Sequence, residues 1–123
     1  MKEFIAACVQ IAVTPNDVQA NVDKGVVWLE RAVKEYEAEL VVFPETVTTS
    51  FVTGLDAHEL WDLVDEAPGR ITRDVQAAAK ALGVHVVWPS YRRGLERGVV
   101  YNSSILIGPD GEIIGIYDKT HPF

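Results

Sequence analysis

Cysteine is almost missing from this chain of 123 residues: Cys8 stands alone. An internal disulfide is therefore excluded, and with it a disulfide-stapled scaffold; one free thiol fits a reducing compartment. Cys8 lies inside an apolar run, where a free cysteine is expected to pack as a small core hydrophobe. No cationic neighbour in sequence would activate its thiolate. Basic charge is also scarce, 11 Lys+Arg against 18 Asp+Glu, for a formal net charge of −7. Such a chain lacks the electrostatic footprint for nucleic acid or anionic membranes, which leaves small molecules and protein partners. Hydrophobic runs are short, and none approaches the ~18 residues of a membrane-spanning helix. The first run, Phe4 to Val9, is too brief for a secretory h-region and follows the acidic Glu3. The expected location is cytoplasmic. Gly-x-Gly-x-x-Gly, the phosphate-loop pattern and the nucleophile elbow are all missing. His58, His85 and His121 lack metal-ligand spacing, so no metal site is expected.

What is present is an ordinary globular composition, 48% apolar and 24% charged, at a length suited to one domain. Phe4 to Val13 is apolar apart from Gln10, the pattern of a strand buried on both faces. Pro15-Asn16-Asp17 ends it and opens a helix over Val18 to Glu37, with Val22, Val26, Leu29, Val33 and Tyr36 at helical spacing. Leu40 to Phe43 reads as a second buried strand, stopped by Pro44. Residues 58–66 suit a short helix. Ile71, Val75, Ala78, Ala79 and Leu82 mark another, with Gly83 where a C-terminal cap belongs. Val84 to Trp88 reads as a third strand. Residues 92–98 are polar and glycine-punctuated, the composition of a loop. Val99 to Ile107 and Ile113 to Tyr117 then form a hairpin about Gly108-Pro109-Asp110-Gly111. The expected architecture is α/β: βαβαβ plus a β-hairpin in one mixed sheet. Trp28, Trp61 and Trp88 are expected as core or interface fillers.

Two charged residues stand at strand ends. Glu45 follows Phe43-Pro44 at the carboxyl end of the second strand, where open α/β sheets bind ligands. Lys119 takes the matching place after the last strand. Alone, each is an ordinary solvated side chain. Brought together, the ammonium would hold the carboxylate ionised and could stabilise an oxyanion.

Leu40-Val41-Val42-Phe43-Pro44-Glu45 resembles the glutamate motif of the nitrilase superfamily of carbon–nitrogen hydrolases. Val9-Gln10 and Asn21 are similar to that family's opening pattern. Tyr101-Asn102-Ser103 with Gly108-Pro109-Asp110-Gly111 resembles its hairpin, and Tyr117-Asp118-Lys119-Thr120-His121 its lysine motif. The likeness runs from residue 5 to residue 121.

The resemblance implies half of an α-β-β-α sandwich and a hydrolase acting on amide, carbamoyl or nitrile groups through a Cys-Glu-Lys triad. Glu45 and Lys119 match the glutamate and the lysine. The family's cysteine belongs to a later motif, and Cys8 does not match it. Residues 1–123 thus resemble the N-terminal part of a single domain, expected to be inactive by itself. Thr48, Thr49 and Phe51, following the glutamate, are expected to line the substrate pocket. Neither metal nor organic cofactor is implied, and a homo-oligomer is. Two alternatives stand beside this reading. One is a non-catalytic interaction module or partner-completed subunit; the other is an unrelated small α/β binding domain with chance motifs. A Glu45–Lys119 contact, or a hairpin detached from the parallel strands, separates the last from the others.

Overall fold

The computed structural model describes residues 2–122. Its elements run β1 (Ala6–Cys8), α1 (Val18–Tyr36), β2 (Leu40–Val42), α2 (Ala57–Leu63), α3 (Arg73–Leu82), β3 (His85–Arg93), β4 (Val100–Ile107) and β5 (Ile113–Asp118). The five strands form one sheet in the order of the chain. β1, β2 and β3 are parallel; β3, β4 and β5 are antiparallel. The hairpin is thus continuous with the parallel strands.

Local chemistry accounts for the helix ends. Asp17 caps α1 by accepting from the Ala20 amide, and Glu37 ends it at φ 57°. Asp56 and Glu59 form a reciprocal capping box at α2. Gly83 ends α3 in the left-handed region, at φ 69°, as its position in the sequence predicts. In the β4–β5 turn the Gly111 amide donates to the Gly108 carbonyl at 2.9 Å, and Gly111 takes φ 83°.

α1 and α3 pack together over one face of the sheet. Val22 and Leu29 from α1 and Val75 and Ala79 from α3 meet Val41, Val86, Trp88, Ile105 and Ile107 beneath them, all fully buried. Trp88 anchors this layer. Its Nε1 donates to the Ile71 carbonyl at 2.8 Å, and Phe43 meets its ring edge-on at 4.9 Å. Truncating a buried Trp of this kind to Ala costs about 3–5 kcal/mol. Trp28 and Trp61 are half-buried.

Two strands differ from the sequence expectation. β1 is Ala6–Cys8 rather than Phe4 to Val13, and it is an edge strand. Phe4 and Ile5 are exposed. Cys8 is exposed, not a core residue. It pairs with Val42, one residue out of phase with the buried Val41, so it falls on the sheet face that the helices do not cover. Among the described residues, helices cover one face only, so the strands are not buried on both by them. β3 in turn runs on through Arg92 and Arg93, which the sequence assigns to a loop. Its pairing with β4 extends from Val86↔Ile107 to Arg93↔Val100. The two arginines are held by partners rather than solvated: Arg93 Nε donates to the Val64 carbonyl at 2.8 Å, and its guanidinium stacks on Trp61. Among the described residues, no helix is long and apolar enough to cross a membrane.

Candidate active site

β2 ends at Val42, and Pro44 turns the chain out of the sheet. Residues 45–50 then make a tight turn in which the Ser50 amide donates to the Thr46 carbonyl at 2.9 Å. Three anchors hold this turn. The Val47 amide donates to the Pro89 carbonyl, at 3.1 Å. Asn21, buried in α1, bonds both Thr14 and the Thr48 carbonyl through its amide, the latter at 2.8 Å. Asn16 donates from its backbone to Thr49 and from its side chain to Thr53. Thr46 and Ser50 sit at φ 52° and 79°, conformations that cost a residue with a Cβ about 1–2 kcal/mol.

The turn delivers Glu45 across β3 to β4 and β5. Glu45 Oε1 accepts from Lys119 Nζ at 2.8 Å and from Asn102 Nδ2 at 2.7 Å. The Lys119 amide in turn donates to the Asn102 carbonyl at 2.8 Å, extending the β4–β5 ladder by one step. Asn102 therefore bonds one partner through its side chain and the other through its backbone. The hydrogen bonds from Lys119 and then Asn102, with a lesser pull from the Lys119 charge, hold the Glu45 carboxyl below the usual glutamate range against an opposing effect of burial.

Tyr91 pairs with Asn102 across the β3–β4 ladder. Its hydroxyl donates to the Phe51 carbonyl at 3.2 Å. Burial, and then the nearby Glu45 charge, push this phenol above its ordinary value, with Lys119 opposing. Glu45, Lys119, Asn102, Pro89, Ser104 and Tyr117 line a shallow cleft of ≈ 290 Å³ on the uncovered face. The side chains of Glu45 and Lys119 remain 46% and 36% exposed. An ion pair so exposed adds only about 0–1 kcal/mol to stability, so folding alone is a weak reason for it.

The pair expected from the sequence is thus brought together over 74 positions. That contact, with the continuous sheet, counts against a chance α/β domain. Thr48 and Thr49 correct the sequence reading. Both are fully buried, with no surface to offer a pocket. The Thr48 hydroxyl pairs with Ser90 Oγ at 2.6 Å, and the Thr49 hydroxyl donates to the Ser50 carbonyl. They shape the turn from inside. Phe51 is 40% exposed, with Lys119 Nζ 5.8 Å from its ring centre. Tyr91 and Asn102 were not among the expected site residues, although Asn102 stands in the hairpin motif that resembles the family's. The available signal was their place near strand ends, in phase with each other once β3 is carried past Trp88.

Residues 5–123 match the carbon–nitrogen hydrolase family. The chain is 27% identical over 118 residues to the probable nitrilase C965.09 of Schizosaccharomyces pombe, covering 95% of this chain and 43% of that protein. It is 30% identical over 125 residues to a formamidase of Bacillus cereus, covering 98% and 37%. The crystal structure of XC1258 from Xanthomonas campestris, a CN-hydrolase superfamily protein with an arsenic adduct in its active site, superposes with a TM-score of 0.83 at 26% identity. The match covers 100% of this chain and 43% of that one. The chain spans less than half the length of each of these relatives.

Proposed function

The chain belongs to the carbon–nitrogen hydrolase family, and on that premise we propose that residues 1–123 are the N-terminal part of one α-β-β-α hydrolase domain. The proposed activity is hydrolysis of a non-peptide carbon–nitrogen bond, in an amide or carbamoyl group ahead of a nitrile. The observation that supports it best is the Glu45 carboxylate held by Lys119 and Asn102 on the sheet face that no helix covers.

In this reading a cysteine outside these residues supplies the nucleophile. The Glu45 carboxylate takes its proton, and the thiolate adds to the substrate carbonyl carbon. The Lys119 ammonium faces the oxyanion of the tetrahedral intermediate. Glu45 returns the proton to the departing nitrogen, which leaves as ammonia or an amine, and a thioester remains. Glu45 then takes a proton from water, whose oxygen attacks the thioester carbon. Collapse releases the carboxylic acid and restores the thiol. Glu45 titrates low while its face is open. A covering layer would desolvate it and raise its basicity toward what a general base needs. Phe51 is proposed to contact the substrate. The reaction requires neither metal nor organic cofactor, and the protein is proposed to work as a homo-oligomer.

A second reading keeps the same pair but completes the sheet with a separate chain. Half-exposed Leu40, Val42, Val87 and Leu106 and exposed Tyr117 on the uncovered face support it. The intact mass of the native gene product separates the two, since the single-domain reading requires a polypeptide well above 13.6 kDa. Activity is tested by ammonia release from a panel of small amides. Hydrolysis by the intact polypeptide that is lost in Glu45→Gln supports the proposal. Intact protein inactive on every amide, carbamoyl and nitrile compound would sink it. Residues 1–123 alone are expected to be inactive, and amide hydrolysis by them that Glu45→Gln abolishes would overturn that part.

A further inference from the structure

Asp118 and Lys119 are neighbours in the chain, so the alternation of an extended strand sends them to opposite faces of the sheet. Lys119 joins Glu45 on the uncovered face. Asp118, level with Ser103, falls on the helix-bearing face. There it meets Arg92. A single guanidinium nitrogen, Nη2, reaches both carboxylate oxygens, at 3.0 and 2.8 Å. Arg92 Nε also donates to Ser103 Oγ at 3.0 Å, and Ser103 Oγ donates to Asp118 Oδ1 at 2.6 Å. The guanidinium lies over the Tyr101 ring, 4.7 Å from its centre. The cluster opens on a recess of ≈ 550 Å³ that also touches Arg93 and Glu66.

These contacts tie the ends of β3, β4 and β5 together. They do so one residue before Lys119, at the last residue of β5. Lys119 itself has a flexible four-carbon stem and, among the described residues, a backbone bond to Asn102. Other ion pairs in the chain, such as Arg31–Glu35 on α1 and Arg97–Asp62, join more exposed side chains and engage the carboxylate through a single oxygen. Arg92 is 21% exposed and Asp118 38%. Arg92 thus restrains Asp118 twice, directly through Nη2 and through Ser103, and charge-assisted hydrogen bonds of this kind are the stronger ones.

We propose that Arg92, acting through Asp118 from the opposite face of the sheet, is a positioning residue that fixes the end of β5 and so the approach of Lys119 to Glu45. This rests on the proposed hydrolytic role of the Glu45–Lys119 pair, and the test separates the two. In the intact polypeptide, Arg92→Gln and Asp118→Asn are compared with the swapped double variant Arg92→Asp/Asp118→Arg. Three readouts are taken: thermal melting, amide hydrolysis, and titration of the Glu45 carboxyl by carbon-detected NMR.

Each single variant is expected to fold, to lower kcat about tenfold or more with KM little changed, and to move the Glu45 titration upward. The swapped pair is expected to restore both. A lower melting temperature with kcat and the Glu45 titration unchanged would show a merely structural pair and overturn the proposal. So would Glu45 shifting in Lys119→Met but in neither single variant. A Glu45 shift in Arg92→Gln without loss of hydrolysis would uphold the positioning and refute the hydrolytic role of the pair. If a single variant fails to fold, the swapped pair decides: native kcat and titration support the proposal, and their loss in a folded protein overturns it.

Discussion

Asn102 donates its side-chain amide to Glu45 at 2.7 Å, and its own carbonyl receives the Lys119 amide. One residue at the open end of the hairpin therefore bonds both a carboxylate that follows β2 and the residue that follows β5. The contact is local in space and remote in sequence. It makes Asn102 the residue on which the pair's geometry converges.

Replacing Asn102 by Ala is expected to free Glu45 Oε1 of one donor and leave the β4–β5 backbone bond in place. The Glu45 titration should move upward, since a hydrogen bond to the charged form is lost. Hydrolysis by the intact polypeptide should fall about tenfold or more. Steady-state kinetics on the preferred amide, with circular dichroism to confirm folding, check this. Unchanged kinetics would remove Asn102 from the site.

Lys119→Met is expected to raise the Glu45 titration further, because Lys119 is the largest cause of its depression. The folded value lies below the unfolded one. The stability contributed by the pair is therefore present above the unfolded glutamate value, about 4.3, and is lost as pH falls through the lowered folded value. The gap in unfolding free energy between wild type and Lys119→Met should be about 1 kcal/mol or less at neutral pH and close in acid. Urea unfolding across a pH series measures it. A gap that widens on acidification would contradict the sign.

Gly25 lies over the indole of Trp88, where an added Cβ would come 2.4 Å from Cη2 and 2.7 Å from Cζ3. Helix propensity favours Ala over Gly by about 1 kcal/mol. Overpacking against a fully buried ring opposes it. Gly25→Ala is expected to destabilise by about 1–3 kcal/mol net. Denaturant midpoints at constant slope test this, and a stabilised variant would refute the packing argument.

Ser50 holds φ 79° in the turn that carries Glu45. Ser50→Gly is expected to stabilise by about 0.5–1 kcal/mol, the strain relieved less the chain entropy that glycine adds. Ser50→Val should destabilise instead, because a β-branched side chain tolerates this region poorly. Opposite shifts in melting temperature are the readout. If both variants melt together, the backbone strain at residue 50 is negligible.

The helices and the hairpin were legible because their causes are local. Asp17 precedes a 3.6-residue repeat, Gly83 follows one, and Gly108 to Gly111 turns the chain between two apolar runs. Glu45 and Lys119 were legible as strand-end charges whose motifs resemble a known family. The end of β3 was not. Ser90, Arg92 and Arg93 break the apolar pattern, yet eight register pairs with β4 carry the strand through them. Backbone hydrogen bonds do not depend on side-chain polarity, so a polar strand end leaves little trace in the sequence.

By itself the sequence determined the order of elements, the position of each helix though not the end of α2, which stops at Leu63 rather than at residue 66, and the two charged groups worth following. Only the tertiary structure decided which face of the sheet is covered. That choice exposes Cys8, buries Thr48 and Thr49, turns Asp118 toward Arg92, and sends Lys119 to Glu45 and Asn102. The physical reason is the two-residue period of a strand. Alternation says which side chains share a face, but when both faces carry apolar residues it does not say which face meets the helices. The packing of α1 and α3 on Trp88 settles that, through contacts between residues far apart in the chain.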